Sequence, residues 1–232
     1  MFRKTDRAVS VILKGITVIA AVLGVFLSAG AGRGSFMGGN RVFMYFTIQS
    51  NIAVALIAAV GLVLLLRGKK IADGWYVVKW MGAVSITLTG AVFCFVLAPT
   101  FGAYAWNAQN VLTHVVVPVT AVADFFVTGI YGNIPKKFTV FVTLPSLAYA
   151  VYAGIGYAAG WEFAPGVNYP YFFLNWGSPA GAFGFSNELP FMGCVWWILA
   201  LFILLMLTGY AYLALLGRRK KRRITRSSRQ AG

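Results

Sequence analysis

The stretch that decides the fold is RVFMYFTIQSNIAVALIAAVGLVLLLRGKK, residues 41–70. Between Arg41 and Arg67 it carries no charged side chain. A run of that length exceeds the roughly 18–20 apolar residues needed to cross a hydrocarbon core of about 30 Å. Basic residues at both ends are typical of a spanning helix whose ends lie at the two membrane interfaces. We therefore predict that residues 42–66 form one transmembrane helix.

Five further apolar runs have the same character. The chain of 232 residues is 59% hydrophobic and 11% charged, with a mean hydropathy of +0.77, whereas soluble domains carry about 25% charged residues. We predict an all-α polytopic membrane protein with one domain, residues 1–232. It would consist of six transmembrane helices, at about residues 8–29, 42–66, 77–98, 109–130, 138–157 and 191–216, and a basic tail at 217–232. The first run is longer than a signal-peptide core, so we interpret it as a retained span.

The distribution of basic residues predicts the orientation. Eighteen of the 20 Lys and Arg residues belong to one side, if Lys14 snorkels to that side and Lys79 lies just inside it. Only Arg33 and Arg41 belong to the other side. The positive-inside rule then places both termini in the cytoplasm.

The net charge of +15 does not indicate nucleic-acid binding, because the largest basic block directly follows an apolar helix. That block is Arg218, Arg219, Lys220, Lys221, Arg222 and Arg223. A basic cluster at such a point is attracted to the negative surface of the inner leaflet. We expect the tail to contact anionic lipid headgroups and no nucleic acid.

Several kinds of site are excluded by residue counts. The chain has one histidine, His114, and five carboxylates, none in a cluster with metal-ligand spacing. No Gly-rich loop joins a strand to a helix, so a nucleotide site is not indicated. We therefore expect neither a metal ion nor another cofactor.

Polar side chains form a stripe on the second predicted helix and another on the fourth. The first stripe consists of Thr47, Ser50 and Asn51, and the second of Asn110, His114 and Asp124. Polar groups in hydrocarbon are costly unless they face the bundle interior or a wet cavity, so both stripes should point inward. Counted from the outer ends of their helices, Thr47 and His114 lie at the same depth, roughly 9 Å down. Asp124 lies roughly 15 Å deeper.

A hydroxyl beside an imidazole is the minimum needed for nucleophilic acyl transfer, because the imidazole takes the hydroxyl proton during attack and later returns it to the leaving group. We therefore predict Thr47 and His114 as catalytic residues. The alternative is that His114 only hydrogen-bonds between helices. Ser50 and Asn51 are predicted either to stabilise an oxyanion or to make plain interhelical hydrogen bonds.

Three further residues have predicted supporting roles in the fourth helix. Asn110, one turn from His114, is expected to orient the imidazole. Pro118 is expected to free a carbonyl near His114 and to kink the helix. Asp124 is expected to orient polar groups or water, or to pair with Lys136 or Lys137.

Three motifs resemble those of a known membrane family. They are Tyr45-Phe-Thr47-Ile-Gln-Ser-Asn51, Leu112-Thr-His114-Val-Val-Val-Pro118 followed by Asp124, and Tyr169-Pro170 in the last outer loop. In motif order and helix number the whole chain resembles the bacterial Pr6Pr-type branch related to the androgen-induced gene 1 proteins of animals. The resemblance implies hydrolysis of fatty acid esters of hydroxy fatty acids, with Thr47 and His114 as catalytic residues, Tyr169 in support, and a bacterial plasma membrane as location.

Three matters stay open. The aromatic loop at residues 158–190 is either an interfacial belt or a lid over a lipid pocket that opens to the outer leaflet. Cys94 and Cys194 either form a disulfide or remain two buried thiols. In place of a hydrolase, the chain could be a carrier that uses His114 and Asp124 as a relay, or a structural protein whose tail docks an acidic partner.

Overall fold

The part of the chain that the structure describes is mostly helical. The computed structural model describes residues 3–31, 39–69 and 71–231. The basic positions Arg33 and Lys70 lie outside those residues. Within them, 79% of the chain is helical and no strand is present. Six helices are long and apolar enough to cross a membrane, so the predicted number of spanning helices is confirmed.

The six helices are labelled α1 to α6 in chain order. Their bounds are α1 Lys4–Ala31, α2 Phe46–Leu66, α3 Asp73–Thr100, α4 Ala108–Tyr131, α5 Lys136–Ala158 and α6 Cys194–Ala231. Helix α2 begins later than predicted, because Gly39–Met44 forms a separate 3-10 turn and Tyr45 is extended as the N-cap. The first residues of α5, Lys136–Thr143, are also 3-10 helix.

Helix α6 does not end where the sequence suggested. It continues through the basic block to Ala231, whereas we predicted an end near residue 216 and a separate tail. Lys and Arg are good helix formers and are favoured at helix C-termini, which accounts for the extension. Arg219 donates to the carbonyl of Phe126 (3.1 Å), and Arg223 pairs with Asp6 (3.4 Å). The first basic turns of the extension therefore rest against α4 and α1.

Two helices contain a π turn just before a proline. In α3 the turn is Phe93–Leu97, ahead of Pro99, and in α4 it is Leu112–Val116, ahead of Pro118. Proline gives no N–H to the carbonyl four residues earlier and its ring crowds that carbonyl. A π turn accommodates the clash by adding one residue to the turn. The fourth helix is thus irregular just before Pro118, and α3 passes Pro99 instead of ending there.

Helix α3 is the most buried of the six and organises the packing. It contacts α2 and α4, while α1 lies against α2 and α4 on the other side. The largest apolar cluster joins α3, α4, α5 and α6, with Trp80, Phe125, Val142 and Leu205 at its centre. Gly209 lets α6 approach closely, since a Cβ there would lie 3.1 Å from the Trp80 ring.

Residues 159–193, here called the long loop, fold back onto the bundle. The hydroxyl of Tyr45 donates to the carbonyl of Phe163 (3.0 Å), and Arg41 pairs with Glu162 (2.8 Å). Phe173 and Leu174 are buried in an apolar cluster with Tyr149 of α5. The long loop is therefore a packed cover over one end of the bundle. Cys94 and Cys194 are free thiols.

Candidate functional site

The structure brings Thr47 and His114 together. The hydroxyl of Thr47, in the first turn of α2, lies 3.4 Å from Nε2 of His114 in the π turn of α4. Both residues are only 7% exposed. The prediction that they share one depth in the bundle is confirmed, and the two helices are also close enough for contact.

The hydrogen-bond network assigns the tautomer of His114. Its Nδ1 lies 3.1 Å from the carbonyl of Asn110 and 3.0 Å from the hydroxyl of Thr113. The Thr113 hydroxyl already donates to the carbonyl of Gln109 (2.8 Å), so both neighbours of Nδ1 act as acceptors. Nδ1 therefore carries the proton, and Nε2 presents a lone pair to Thr47.

The imidazole is held by a stacked ring as well as by hydrogen bonds. Phe93 lies parallel to His114 with ring centroids 3.8 Å apart and an interplanar angle of 18°. Trp106 meets Phe93 edge-on at 5.7 Å. Phe93 and His114 both belong to π turns, so the two irregular turns face each other across the site. π turns of this kind are frequent at functional sites.

Tyr171 of the long loop completes the surroundings of Thr47. The backbone N–H of Thr47, which has no partner inside the first turn of a helix, donates to the Tyr171 oxygen (3.3 Å). The two hydroxyls are 3.5 Å apart. Burial raises the pKa of the Tyr171 phenol, so it stays protonated and can donate. Phe173 stacks on the ring at 5.1 Å.

Sequence reasoning chose Tyr169 instead of Tyr171. Tyr169 is half-buried and, among the described residues, is not one of those that line the cavity at Thr47. Tyr169 was predicted because the Tyr169-Pro170 pair is one of the motifs in the family resemblance. The sequence does not show how the loop folds back, so it could not indicate that Tyr171 lies beside Thr47. The one available signal was the density of aromatics between Tyr169 and Phe173.

Ser50 and Asn51 do not point to a reacting group. Asn51 is fully buried, and its amide nitrogen donates to the carbonyls of Thr47 (2.8 Å) and Thr113 (3.0 Å). The Ser50 hydroxyl contacts the carbonyl of Thr47 (3.0 Å) and the hydroxyl of Thr89 (2.8 Å). Both residues therefore make the hydrogen bonds between helices that we gave as the alternative. Neither side chain is placed as a donor for the predicted oxyanion.

Asn110 orients His114, but through its backbone. The carbonyl of Asn110 accepts from Nδ1, while the side-chain amide donates to the carbonyl of Ala105 (2.9 Å). The side chain of Asn107 in turn caps α4 by accepting from the N–H of Asn110 (2.9 Å). The cap fixes the start of α4, and with it the carbonyl that holds the imidazole.

An apolar cavity lies beside Thr47, which is part of its lining. It is formed between α2, α3, α5, α6 and the long loop. Most of its walls are aliphatic or aromatic, including Leu88, Val92, Phe93, Leu174, Ile198, Leu201 and Phe202. Thr47 and Tyr171 are among its few polar groups. A cavity of this kind suits a hydrocarbon chain whose polar end reaches Thr47.

Asp124 belongs to a different part of the bundle. Its Oδ2 accepts from Lys14 (2.5 Å) and from Lys79, and its Oδ1 accepts from Ser10 (2.6 Å). The expected pairing with Lys136 or Lys137 was wrong, and so was the expectation that Lys14 reaches the interface. Both lysines are buried and pair with the same buried carboxylate, a contact that hydropathy and charge counting do not reveal.

A layer of apolar side chains separates Asp124 from His114. It consists of Ala20, Ala21, Val54, Ile86 and Val117, all buried. Val117 lies one turn from His114, and Thr17 and Thr120 meet below the layer at 2.8 Å. The described residues therefore give no continuous polar path between the two predicted relay groups.

Among the described residues, no three His, Cys, Asp or Glu side chains are grouped so that they could hold a metal ion. Comparison of the chain with protein-family models, curated protein sequences and solved structures finds no match. The geometry of the site is therefore the observation that bears on its chemistry.

Proposed function

We propose that the chain is an integral membrane hydrolase that cleaves an ester bond of a lipid, with Thr47 as nucleophile and His114 as base. One observation carries the proposal. The Thr47 hydroxyl lies 3.4 Å from the unprotonated nitrogen of a buried imidazole, beside an apolar cavity. A Thr–His contact alone is compatible with a structural role, but the cavity gives a hydrophobic substrate access to the hydroxyl.

The first half of the reaction transfers the acyl group to Thr47. Nε2 of His114 accepts the hydroxyl proton as Oγ1 attacks the ester carbonyl carbon. The Nδ1–H bond to the carbonyl of Asn110 keeps the ring in place and stabilises the imidazolium. The imidazolium then protonates the leaving alkoxide, which departs as an alcohol. In the second half water attacks the acyl-threonine with His114 again as base.

Two donors stand where negative charge would develop on the carbonyl oxygen. They are the backbone N–H of Thr47 and the Tyr171 hydroxyl, which bond each other in the resting site. A substrate oxygen that displaced this mutual bond would accept from both groups. Such donors act most strongly where water is excluded, and Tyr171 lies beneath the packed long loop.

The lining of the cavity favours a hydrocarbon chain. The cavity lies between helices, and its walls offer hydrocarbon contacts with few hydrogen-bond partners. Together with the Thr47 and His114 motifs, this is what we expect of a bacterial Pr6Pr-type protein. Fatty acid esters of hydroxy fatty acids are accordingly the substrate class that we propose.

The same proposal includes an orientation. With both termini in the cytoplasm of a bacterial plasma membrane, the long loop and Thr47 lie toward the outer leaflet, from which the lipid enters. The basic extension of α6 then lies at the inner surface. Contact with anionic headgroups there would fix the depth of the bundle.

A fluorophosphonate probe tests the nucleophile directly, because it labels a hydroxyl only when a base activates it. We expect labelling of the purified protein, no labelling of Thr47→Ala, and at least about a hundredfold slower labelling of His114→Ala. Thr87→Val is the matched control, since Thr87 bonds Tyr212 away from the site. Labelling that persists in Thr47→Ala would refute the nucleophile.

A carrier of hydrophobic molecules is the second candidate, and the cavity favours it. The two functions differ in whether the bound ester is cleaved. Wild-type protein that binds a hydroxy fatty acid ester and returns it intact, with no free acid formed, would support the carrier. Wild-type protein that releases the free acid, together with a Thr47→Ala variant that binds the ester normally but releases none, would support the hydrolase.

A further inference from the structure

A single side-chain amide joins the two halves of the proposed site. Asn51 lies in α2, one turn after Thr47, and is fully buried. Its amide nitrogen donates to the carbonyl of Thr47 within α2 (2.8 Å) and to the carbonyl of Thr113 in α4 (3.0 Å). The second carbonyl belongs to the peptide group that leads into His114. One nitrogen is therefore bonded to the backbone beside the hydroxyl and to the backbone beside the imidazole.

The carbonyl of Thr113 lacks its regular partners inside α4. In the π turn the N–H of Val117 donates to the carbonyl of Leu112, five residues back, instead of to Thr113, four residues back. The next residue along the helix is Pro118, which has no N–H to give. Both helical donors that could reach the Thr113 carbonyl are thus missing, and the amide of Asn51 takes their place.

The other atom of the same amide is left unpaired. Both neighbours of the nitrogen are carbonyl oxygens, which only accept, so the orientation of the amide is set by the hydrogen bonds. Oδ1 of Asn51 is buried and has no hydrogen-bond partner in the part of the chain that the structure describes. An unpaired buried acceptor costs free energy, which offsets part of what the two donated bonds contribute. What Asn51 adds is therefore less net stability than a fixed link between α2 and α4.

The contact between Thr47 and His114 has little margin. Oγ1 and Nε2 are 3.4 Å apart, beyond the roughly 2.6–3.2 Å over which a base takes a proton. Within its own surroundings the imidazole is fixed by the bond to the Asn110 carbonyl and by the stacked ring of Phe93. Those two contacts hold the ring relative to α4 and α3. The bond from Asn51 holds α4 relative to α2, which carries the hydroxyl.

We propose that Asn51 is a positioning residue that keeps the Thr47 hydroxyl in register with Nε2 of His114. It acts through the backbones of the two helices and bonds neither reacting atom. Its effect on rate rests on the proposed function, in which Thr47 is the nucleophile, whereas its effect on geometry does not. A displacement of about 1 Å between reacting groups can lower a rate by about a hundredfold.

NMR of the purified protein labelled with ¹⁵N in histidine alone tests the geometry, because His114 is the one histidine of the chain. The Nε2 signal shifts when this nitrogen loses the hydrogen bond from a hydroxyl. Asn51→Leu keeps the shape of asparagine but has no N–H, and we expect it to move the Nε2 signal toward its position in Thr47→Val. Thr17→Val is the matched control, since it removes another buried hydrogen bond to α4, the one between Thr17 and Thr120 (2.8 Å). It should leave the imidazole signals unchanged.

Fluorophosphonate labelling of the same variants tests the effect on rate. We expect Asn51→Leu to lower the maximal labelling rate by about tenfold to a hundredfold. The probe concentration that gives half of that rate should stay the same, because Asn51 does not line the apolar cavity beside Thr47. Thr17→Val should label like wild type. A wild type that never labels would refute the nucleophile but leave the spectral comparison intact, so the two proposals fail separately.

Asn51→Thr provides a second test if the leucine variant does not fold. A threonine hydroxyl in a helix bonds the carbonyl four residues back, so this variant keeps a bond to Thr47 and loses only the one to Thr113. We expect the same shift of the Nε2 signal. A wild-type Nε2 signal in either folded Asn51 variant would overturn the proposal. So would an equal shift in Thr17→Val, because any lost hydrogen bond to α4 would then displace the imidazole.

Discussion

At the scale of single residues, the contact between Thr47 and Tyr171 adds a hydrogen-bond donor to the proposed Thr47–His114 site. It places a phenol donor from a loop beside a hydroxyl from the first turn of a helix. The ring of Tyr171 is held separately, by stacking on Phe173 and by an edge contact with Tyr45. Hydrogen bonding and ring packing can therefore be separated by removing the oxygen alone.

Tyr171→Phe should lower the rate of ester hydrolysis by roughly a hundredfold, the usual cost of losing one donor to an oxyanion. The fold should change little, because the stacked ring remains. Tyr169→Phe is the matched control and should leave the rate near that of wild type. The measurement is release of free acid from an ester substrate, and equal rates for the two variants would contradict the assigned role of Tyr171.

Asp124→Asn should destabilise the bundle by about 3–5 kcal/mol, because it removes the one carboxylate that both buried lysines pair with. Lys14→Met should cost much less, since Lys79 and Asp124 remain as a balanced pair. Thermal unfolding in detergent compares the two variants. A milder loss for Asp124→Asn than for Lys14→Met would contradict the central place of Asp124 in this cluster.

The sequence predicted part of this chemistry. Thr47 and His114 could be paired because topology sets depth, and depth follows from counting residues along each helix. Lys14 and Lys79 could not be paired with Asp124 in the same way. Counting residues gives the position of a side chain along the membrane normal, but it does not reveal which helices are neighbours. The sequence also does not distinguish a lysine that is buried in the bundle from one whose side chain snorkels to the interface.

At the scale of elements, the two π turns and the close approach of α3 to α4 act together. Gly90 lies at the contact, where a Cβ would come within 2.9 Å of the carbonyl of His114 and 3.3 Å of the Pro118 ring. No side chain fits there without moving α4. The position of the imidazole therefore depends on a glycine in the neighbouring helix.

Gly90→Ala should destabilise the protein by about 1–3 kcal/mol through overpacking, and should also lower hydrolysis because α4 carries His114. Gly15→Ala is the control in α1, where nothing lies within 4 Å of the added Cβ. It should be neutral or stabilise slightly, since alanine is the better helix former. Unfolding temperature and acid release are measured together, and Gly90→Ala with both unchanged would contradict the packing argument.

Helix ends were harder to predict than helix cores. Apolar runs marked all six spans because burial in hydrocarbon and length set their limits. The extension of α6 to Ala231 was not predicted. A change from apolar to basic residues indicates where a helix leaves the membrane, but the helix itself can continue beyond that point. The π turns were missed for a related reason, since an extra residue in a turn leaves the apolar pattern intact.

At the scale of the whole molecule, orientation is the property to measure. With Cys94 and Cys194 changed to alanine, single cysteines at the exposed positions Asn187 and Lys220 report on opposite ends of the bundle. A membrane-impermeant maleimide should label the Asn187→Cys variant in intact bacterial cells and the Lys220→Cys variant only after permeabilisation. The reverse pattern would place the long loop in the cytoplasm.

The π turns have a consequence for how the gene can change. Each π turn contains one residue more than a regular α-helical turn. Deletion of one codon from Leu112–Val116 would therefore leave a continuous α-helix. The turn would tighten from π to α geometry, and the side chains within it, His114 among them, would change direction. Phe93 would then lose its stacking partner. A one-codon deletion that preserves folding is therefore expected to abolish the proposed ester hydrolysis. The number of residues in each π turn is thus as much a requirement of the site as the identity of its side chains.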